Sequence, residues 1–198
     1  MHPKAVEDAK IRFRHAKGFL ELMSSDKSFE FKNFEEAWIQ FLGAINTIFS
    51  KLEQGSKINQ KSKSWYDGVK HQRRKDPLLS YLRQARNSEE HTLEGSSDKT
   101  GFTAHTNRKD VKIVRSGKKD NHIEVVVPEN VKKGDELFTI RGPGIYLIDV
   151  IDGRSGKLFQ VPKEHLGQSI ENTTPLEVAS KALMYMENLI SEAERLKT

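Results

Sequence analysis

Cysteine is absent from the chain, which rules out disulfides and thiolate metal sites and fits a reducing compartment. No stretch approaches the roughly 20 apolar residues that a membrane span requires, and Met1–Asp8 lacks the apolar core of a signal segment. The expected location is therefore cytoplasmic, with no membrane partner. Glycine-rich phosphate loops and dinucleotide fingerprints are missing, and Gly142-Pro143-Gly144 reads as a turn. A His-Glu-x-x-His motif is missing too, because neither Glu90-His91 nor Glu164-His165 has a second histidine at ligand spacing. No serine stands in a nucleophile elbow. The expectation is thus no metal and no cofactor. His71, His105, His122 and His165 read as surface or turn residues.

What the 198 residues do contain is charge. Charged residues make up 31% and apolar residues 35%, the balance of a soluble chain with limited core. The length suits one large domain, or a helical domain with a smaller appendage. A net charge of +5 is compatible with a nucleic-acid partner without demanding one.

Helical periodicity dominates the first half. Val6, Ala9, Phe13, Ala16, Leu20 and Met23 recur at alternating spacings of three and four, one apolar stripe over residues 5–24. Asn33 and Glu36 stand at the spacing of an N-cap and its capping-box acid. After them Phe34, Phe41, Ile45, Ile48 and Leu52 form a second stripe, widened by Trp38, Leu42 and Phe49, which predicts a helix with several neighbours. Trp65, Tyr66 and Val69 suit a short third helix inside a basic stretch that includes Lys70, Arg73, Arg74 and Lys75. Asp76 then caps a fourth helix with Pro77 in its first turn and Leu78, Leu79, Leu82, Ala85 and Leu93 on its buried face.

Gly95 to Gly101 breaks this pattern, and polar character persists to Asp110, which predicts a loop or linker over residues 96–110. Beyond it, residues 111–115, 122–127, 137–141, 145–151 and 157–161 read as strands separated by turns at Gly117, Gly142-Pro143-Gly144 and Asp152 to Gly156. They suggest an antiparallel β-meander with Ile145 to Ile148 at its centre. Thr174-Pro175-Leu176-Glu177 starts a final helix, with a capping threonine, proline at the first position and glutamate at the third. The predicted layout is α+β. A helical bundle occupies 1–95, an antiparallel β region 111–162, and a C-terminal segment 163–198 carries a helix packed on the sheet or the bundle.

One short segment points to chemistry. Arg86-Asn87-Ser88-Glu89-Glu90-His91 places a permanently charged guanidinium and a group that titrates near neutrality on the fourth helix. Cleavage of RNA by its own 2′-hydroxyl needs a base, an acid and a cation for the crowded phosphorane. Arg115 and His122 have a similar spacing but flank a predicted turn, so the helical context singles out the first pair. The segment resembles the Arg-x(4–6)-His signature of the HEPN superfamily, all-α proteins that include metal-independent endoribonucleases, in which a polar residue, often Asn, follows the Arg. The resemblance covers the first half of the chain only. It implies a HEPN-like bundle that cleaves RNA to 2′,3′-cyclic phosphate ends, with Arg86 on the phosphate, His91 moving protons and Asn87 orienting the substrate or Arg86. Lys70, Arg73, Arg74 and Lys75 are then the expected RNA-binding residues, because that run leads into the helix bearing Arg86.

Five residues of regular helix turn through about 500°, so Arg86 and His91 point about 140° apart. Either the helix ends near Ser88, or each side chain reaches a cleft shared with another chain. The resemblance implies the second, since HEPN ribonucleases typically dimerise. The alternative function is a non-catalytic HEPN-type module that dimerises and engages a protein or ligand.

Overall fold

The computed structural model describes the backbone of residues 1–25, 31–91, 95–100, 103–105, 112–116, 122–126, 139–141 and 144–198. Side chains are described for the same residues except Phe31, Glu90, His91 and 99–143. Two compact units emerge: residues 1–98 with 147–198, and residues 99–146.

Among its described residues the first unit holds five helices: α1 (Pro3–Ser24), α2 (Phe31–Ser56), α3 (Gln60–Lys75), α4 (Pro77–His91) and α5 (Pro175–Arg195). The α1 stripe buries Val6, Ala9, Ala16 and Met23. Helix α2 is the hub. It buries Trp38, Phe41, Ile48 and Leu52 completely and packs against α1, α3, α4 and α5. Burying each such side chain stabilises by about 1.5–3 kcal/mol, so this helix anchors the core. It begins at Phe31, which places Asn33 inside the first turn and not at the cap. Helix α3 is longer than expected, capped by Asn59, whose Oδ1 accepts the Ser62 N–H at 2.9 Å.

Helix α5 starts as its sequence predicts, with Thr174 Oγ1 accepting the Glu177 N–H at 3.3 Å. It packs on α1, α2 and α4, so the final helix returns to the bundle. Gly55 lets the start of α1 approach the end of α2. A Cβ there would collide with Ala5 Cβ and lie 3.0 Å from Met1 Sδ. Among the described residues no helix is long and apolar enough to cross a membrane.

The strands are short and pair two by two. They are β1 (Ser97–Thr100), β2 (Thr103–His105), β3 (Lys112–Ser116), β4 (His122–Val126), β5 (Thr139–Arg141), β6 (Gly144–Leu147), β7 (Val150–Ile151), β8 (Leu158–Phe159), β9 (Glu164–His165) and β10 (Gln168–Ser169). The α+β layout holds, and the expected meander resolves into pairs. Strand β3 pairs antiparallel with β4 and β2 with β5, and β1 pairs with β6, a ribbon nested in sequence in which each outer pair encloses the inner one. Strands β7–β8 and β9–β10 form two separate small antiparallel pairs. Residues 96–110, expected as loop or linker, thus hold β1 and β2, whose partners lie some forty residues further on. The predicted strand 145–151 is split, and Ile148 is 38% exposed, so this run is not the centre of a sheet. Leu93, Val111, Val127, Leu137 and the turns at Gly117 and Gly142-Pro143 lie outside the described residues.

The point where the chain leaves the helical unit and returns to it is locked by buried polar contacts. Tyr81 of α4 donates its hydroxyl to Ile148 O at 2.7 Å and lies 3.2 Å from Ser96 O. The Ile148 N–H donates to the same Ser96 carbonyl at 3.1 Å. Trp38 Nε1 donates to Ser96 Oγ at 2.8 Å, and Glu89 Oε1 accepts both the Ser96 N–H and its hydroxyl at 2.6 Å. Burial pushes the Tyr81 hydroxyl well above its ordinary pKa, so it stays a donor.

Candidate functional site

Helix α4 presents the motif. Asp76 caps it by accepting the Leu79 N–H at 2.8 Å, and Leu78, Leu79, Tyr81, Leu82 and Ala85 face the core. That fixes the helix rotation and brings Arg86, half-buried, to a cleft between α1 and α2. The helix continues to His91, so it does not end near Ser88 and the wide angle between the two motif positions stands. The His91 side chain lies outside the described residues.

Asn87 works on its neighbours. Its Oδ1 lies 3.5 Å from Arg86 Nη1, and its Nδ2 donates to Gln84 Oε1 at 3.4 Å. Both distances are long, so these contacts guide orientation more than they add stability.

The Arg86 cleft has a volume of about 350 Å³. Arg12, His15 and Phe19 of α1 face it, spaced three and four residues apart on one helix face. Across from them stand Gln40, Gly43, Asn46 and Thr47 of α2. The cleft therefore combines two guanidiniums, an imidazole and neutral hydrogen-bonding groups. A phosphate is the natural complement of that set, because guanidiniums bind its oxygens in a planar fork. The sequence reading did not single out Arg12 or His15. They stand off the apolar stripe of α1, and only tertiary packing brings them to Arg86.

The proposed RNA-binding run is divided by the fold. Arg73 is half-buried, sits 4.0 Å above the Phe49 ring and donates from Nη2 to Asn46 Oδ1 at 2.8 Å. Burial lowers its pKa to about 10, which leaves it charged at neutral pH but committed to the core. Lys70 pairs with Glu53 at 2.9 Å and Asp67 at 3.7 Å, and the Glu53 hydrogen bond raises its pKa. Arg74 and Lys75 are exposed and line a different groove of about 430 Å³ with Lys157 and Lys163. Of the four, only these two remain as a solvent-facing basic pair.

His165 proves to be a structural histidine. Its side chain is 12% exposed and its Nδ1 lies 3.0 Å from Asp76 Oδ1. The Leu166 N–H donates to the other carboxylate oxygen at 2.7 Å. Leu166 and Gly167, with φ of 51° and 77°, form the two-residue turn between β9 and β10. Leucine is strained in that conformation, and the Asp76 contact helps to hold it. Among the described residues no group of three or more His, Asp or Glu side chains is arranged to hold a metal ion.

Compared with protein-family models, curated proteins and solved structures, the chain matches none of them.

Proposed function

We propose that the chain is a metal-independent endoribonuclease of the HEPN type, acting in the cytoplasm on RNA and leaving 2′,3′-cyclic phosphate ends. The observation that carries this reading is the cleft that joins Arg86 to Arg12 and His15. In the reaction the 2′-oxygen attacks phosphorus and the P–O5′ bond breaks. The 2′-hydroxyl proton passes to a base, and the departing 5′-oxygen takes a proton from an acid. Arg86 offsets the charge that builds on the phosphorane, aided by Arg12. Asn87 orients Arg86, and His91 moves protons. Positions 86 and 91 stand about 140° apart on a regular helix, so the reading calls for a two-fold dimer in which His91 serves the partner's cleft. Arg74 and Lys75 offer the strand a basic approach.

Cleavage by purified protein in EDTA, with cyclic-phosphate ends on the products, is the test. His91→Ala should abolish it with folding intact. Arg86→Lys should lose much of it, since an ammonium keeps the charge but not the fork. A specific contact favours the second reading, a non-catalytic dimerising module with a protein or ligand partner: Asn87 already bonds Gln84, as a structural polar residue does. A clean dimer that cuts no RNA at any salt concentration, or an equally active His91→Ala, makes that module the better account.

A further inference from the structure

The Arg86 cleft does not end at its cations. Phe19 and Gln40 line it and also line an adjoining groove of about 530 Å³, whose walls are Leu22, Ala37 and Ile39 with Glu36 among its polar residues. Leu22 is 54% exposed, a large apolar side chain left facing solvent. One end of the combined site is thus cationic and the other apolar, with an aromatic ring and a primary amide where they meet. Both volumes fall within the roughly 300–1,000 Å³ typical of small-ligand sites.

We infer that this groove is a nucleobase subsite, so that the combined site holds one nucleotide of single-stranded RNA, phosphate at Arg12, His15 and Arg86 and base on Phe19. Charge complementarity selects the occupant. The cations call for a phosphate, whereas Glu36 disfavours a second phosphate in the groove and leaves it to an uncharged moiety. A planar base suits an aromatic wall, because every base has a face that stacks. Gln40 lines both volumes, and its amide offers a base edge a donor and an acceptor together. The spacing agrees: His15 and Phe19 lie one turn apart, about 6 Å along the helix axis. Gly43 supports the reading as well. A Cβ at that position would meet nothing within 4 Å, so the room above it is cleft and not packing.

The inference rests on the ribonuclease reading for its substrate, but its test reads binding alone. Full-length protein is titrated calorimetrically with adenosine 3′-monophosphate, inorganic phosphate and adenosine. The nucleotide should bind at least tenfold more tightly than phosphate. Phe19→Leu should remove about tenfold or more of that affinity and leave phosphate binding unchanged, whereas Phe19→Tyr should keep it. Gly43→Leu should block nucleotide and phosphate alike without altering charge, while thermal unfolding confirms that the variant is folded. Equal affinity for nucleotide and phosphate, no binding of either, or a Phe19→Leu protein that binds like wild type overturns the subsite. A protein that binds the nucleotide through Phe19 yet cuts no RNA refutes the ribonuclease and keeps the subsite. One whose RNA cleavage and nucleotide binding ignore Phe19→Leu does the reverse.

Discussion

Asp76→Ala is the substitution from which the fold should suffer most for the smallest change in volume. The carboxylate is 4% exposed and accepts three hydrogen bonds, from Leu79 N–H at 2.8 Å, Leu166 N–H at 2.7 Å and His165 Nδ1 at 3.0 Å. Losing the helix cap costs about 1 kcal/mol. Leaving the Leu166 and His165 donors without a partner costs about 1–3 kcal/mol each, reduced as the small hairpin relaxes toward water. The total should be about 3 kcal/mol. Asp76→Asn should lose less, because its one carbonyl oxygen still serves Leu79 while its amide faces a second donor. Urea unfolding followed by helical circular dichroism measures both, and a double-mutant cycle with His165→Ala isolates the pair. The pH dependence has a definite sign. Burial pushes the Asp76 carboxyl up, but the hydrogen bonds from His165, Leu166 and Leu79 outweigh it and hold the pKa below its ordinary 3.8. The resulting stability is present above that value and is lost as pH falls through the lower folded-state pKa, so the difference between wild type and Asp76→Asn should shrink below pH 3.8. A cost under about 1 kcal/mol for Asp76→Ala, or a coupling of zero with His165, would refute the structural role of these contacts.

Two glycines of α2 should respond oppositely to the same change. Gly55→Ala should destabilise by about 1–3 kcal/mol by forcing α1 outward, whereas Gly43→Ala should stabilise by about 0.5–1 kcal/mol because its Cβ meets open space, both read by thermal unfolding. Tyr81→Phe should cost about 0.5–1.5 kcal/mol by removing the hydroxyl that donates to the part-buried Ile148 carbonyl, and should raise amide exchange at Ile148 first. The protein should sediment as a two-fold dimer, and a dilute monomer with full ribonuclease activity would contradict the shared-cleft account.

The helices were legible because each buries one stripe, and period alone locates a stripe. Helix α5 follows its predicted start to the residue, since Thr174 and Pro175 are local signals with local causes. The positions of β3 to β8 were legible too, as turn residues bracket them. Their partners were not. Nothing in the polar run Ser97 to His105 announces a strand, because β1 and β2 depend on β6 and β5 far along the chain. The β9–β10 turn escaped notice because Leu166, unlike glycine or asparagine, carries no turn signal. At the candidate site the motif Arg86-Asn87 was visible from spacing and context. Arg12 and His15 were not, since their part in the cleft follows from how α1 lies against its neighbours. Arg73 misled for a related reason: a charge in a basic run reads as surface until a ring such as Phe49 is found beneath it.

The nested ribbon bears on how the chain can fold. Helix α5 buries ten residues in the bundle, yet it follows the ribbon in sequence and leaves the ribosome after it. The four earlier helices must therefore wait with an apolar face uncovered while some eighty residues are synthesised, several seconds at about 5–20 residues per second. The ribbon shortens the search that follows. Strands β3 and β4 lie close in sequence, and each later pair closes a gap the previous one has already narrowed, so the entropy of bringing β1 back to β6 is spent in small steps. A flexible polar linker of the same length in place of the ribbon would leave that closure to one diffusive event and lengthen the time during which the open bundle is prone to aggregate.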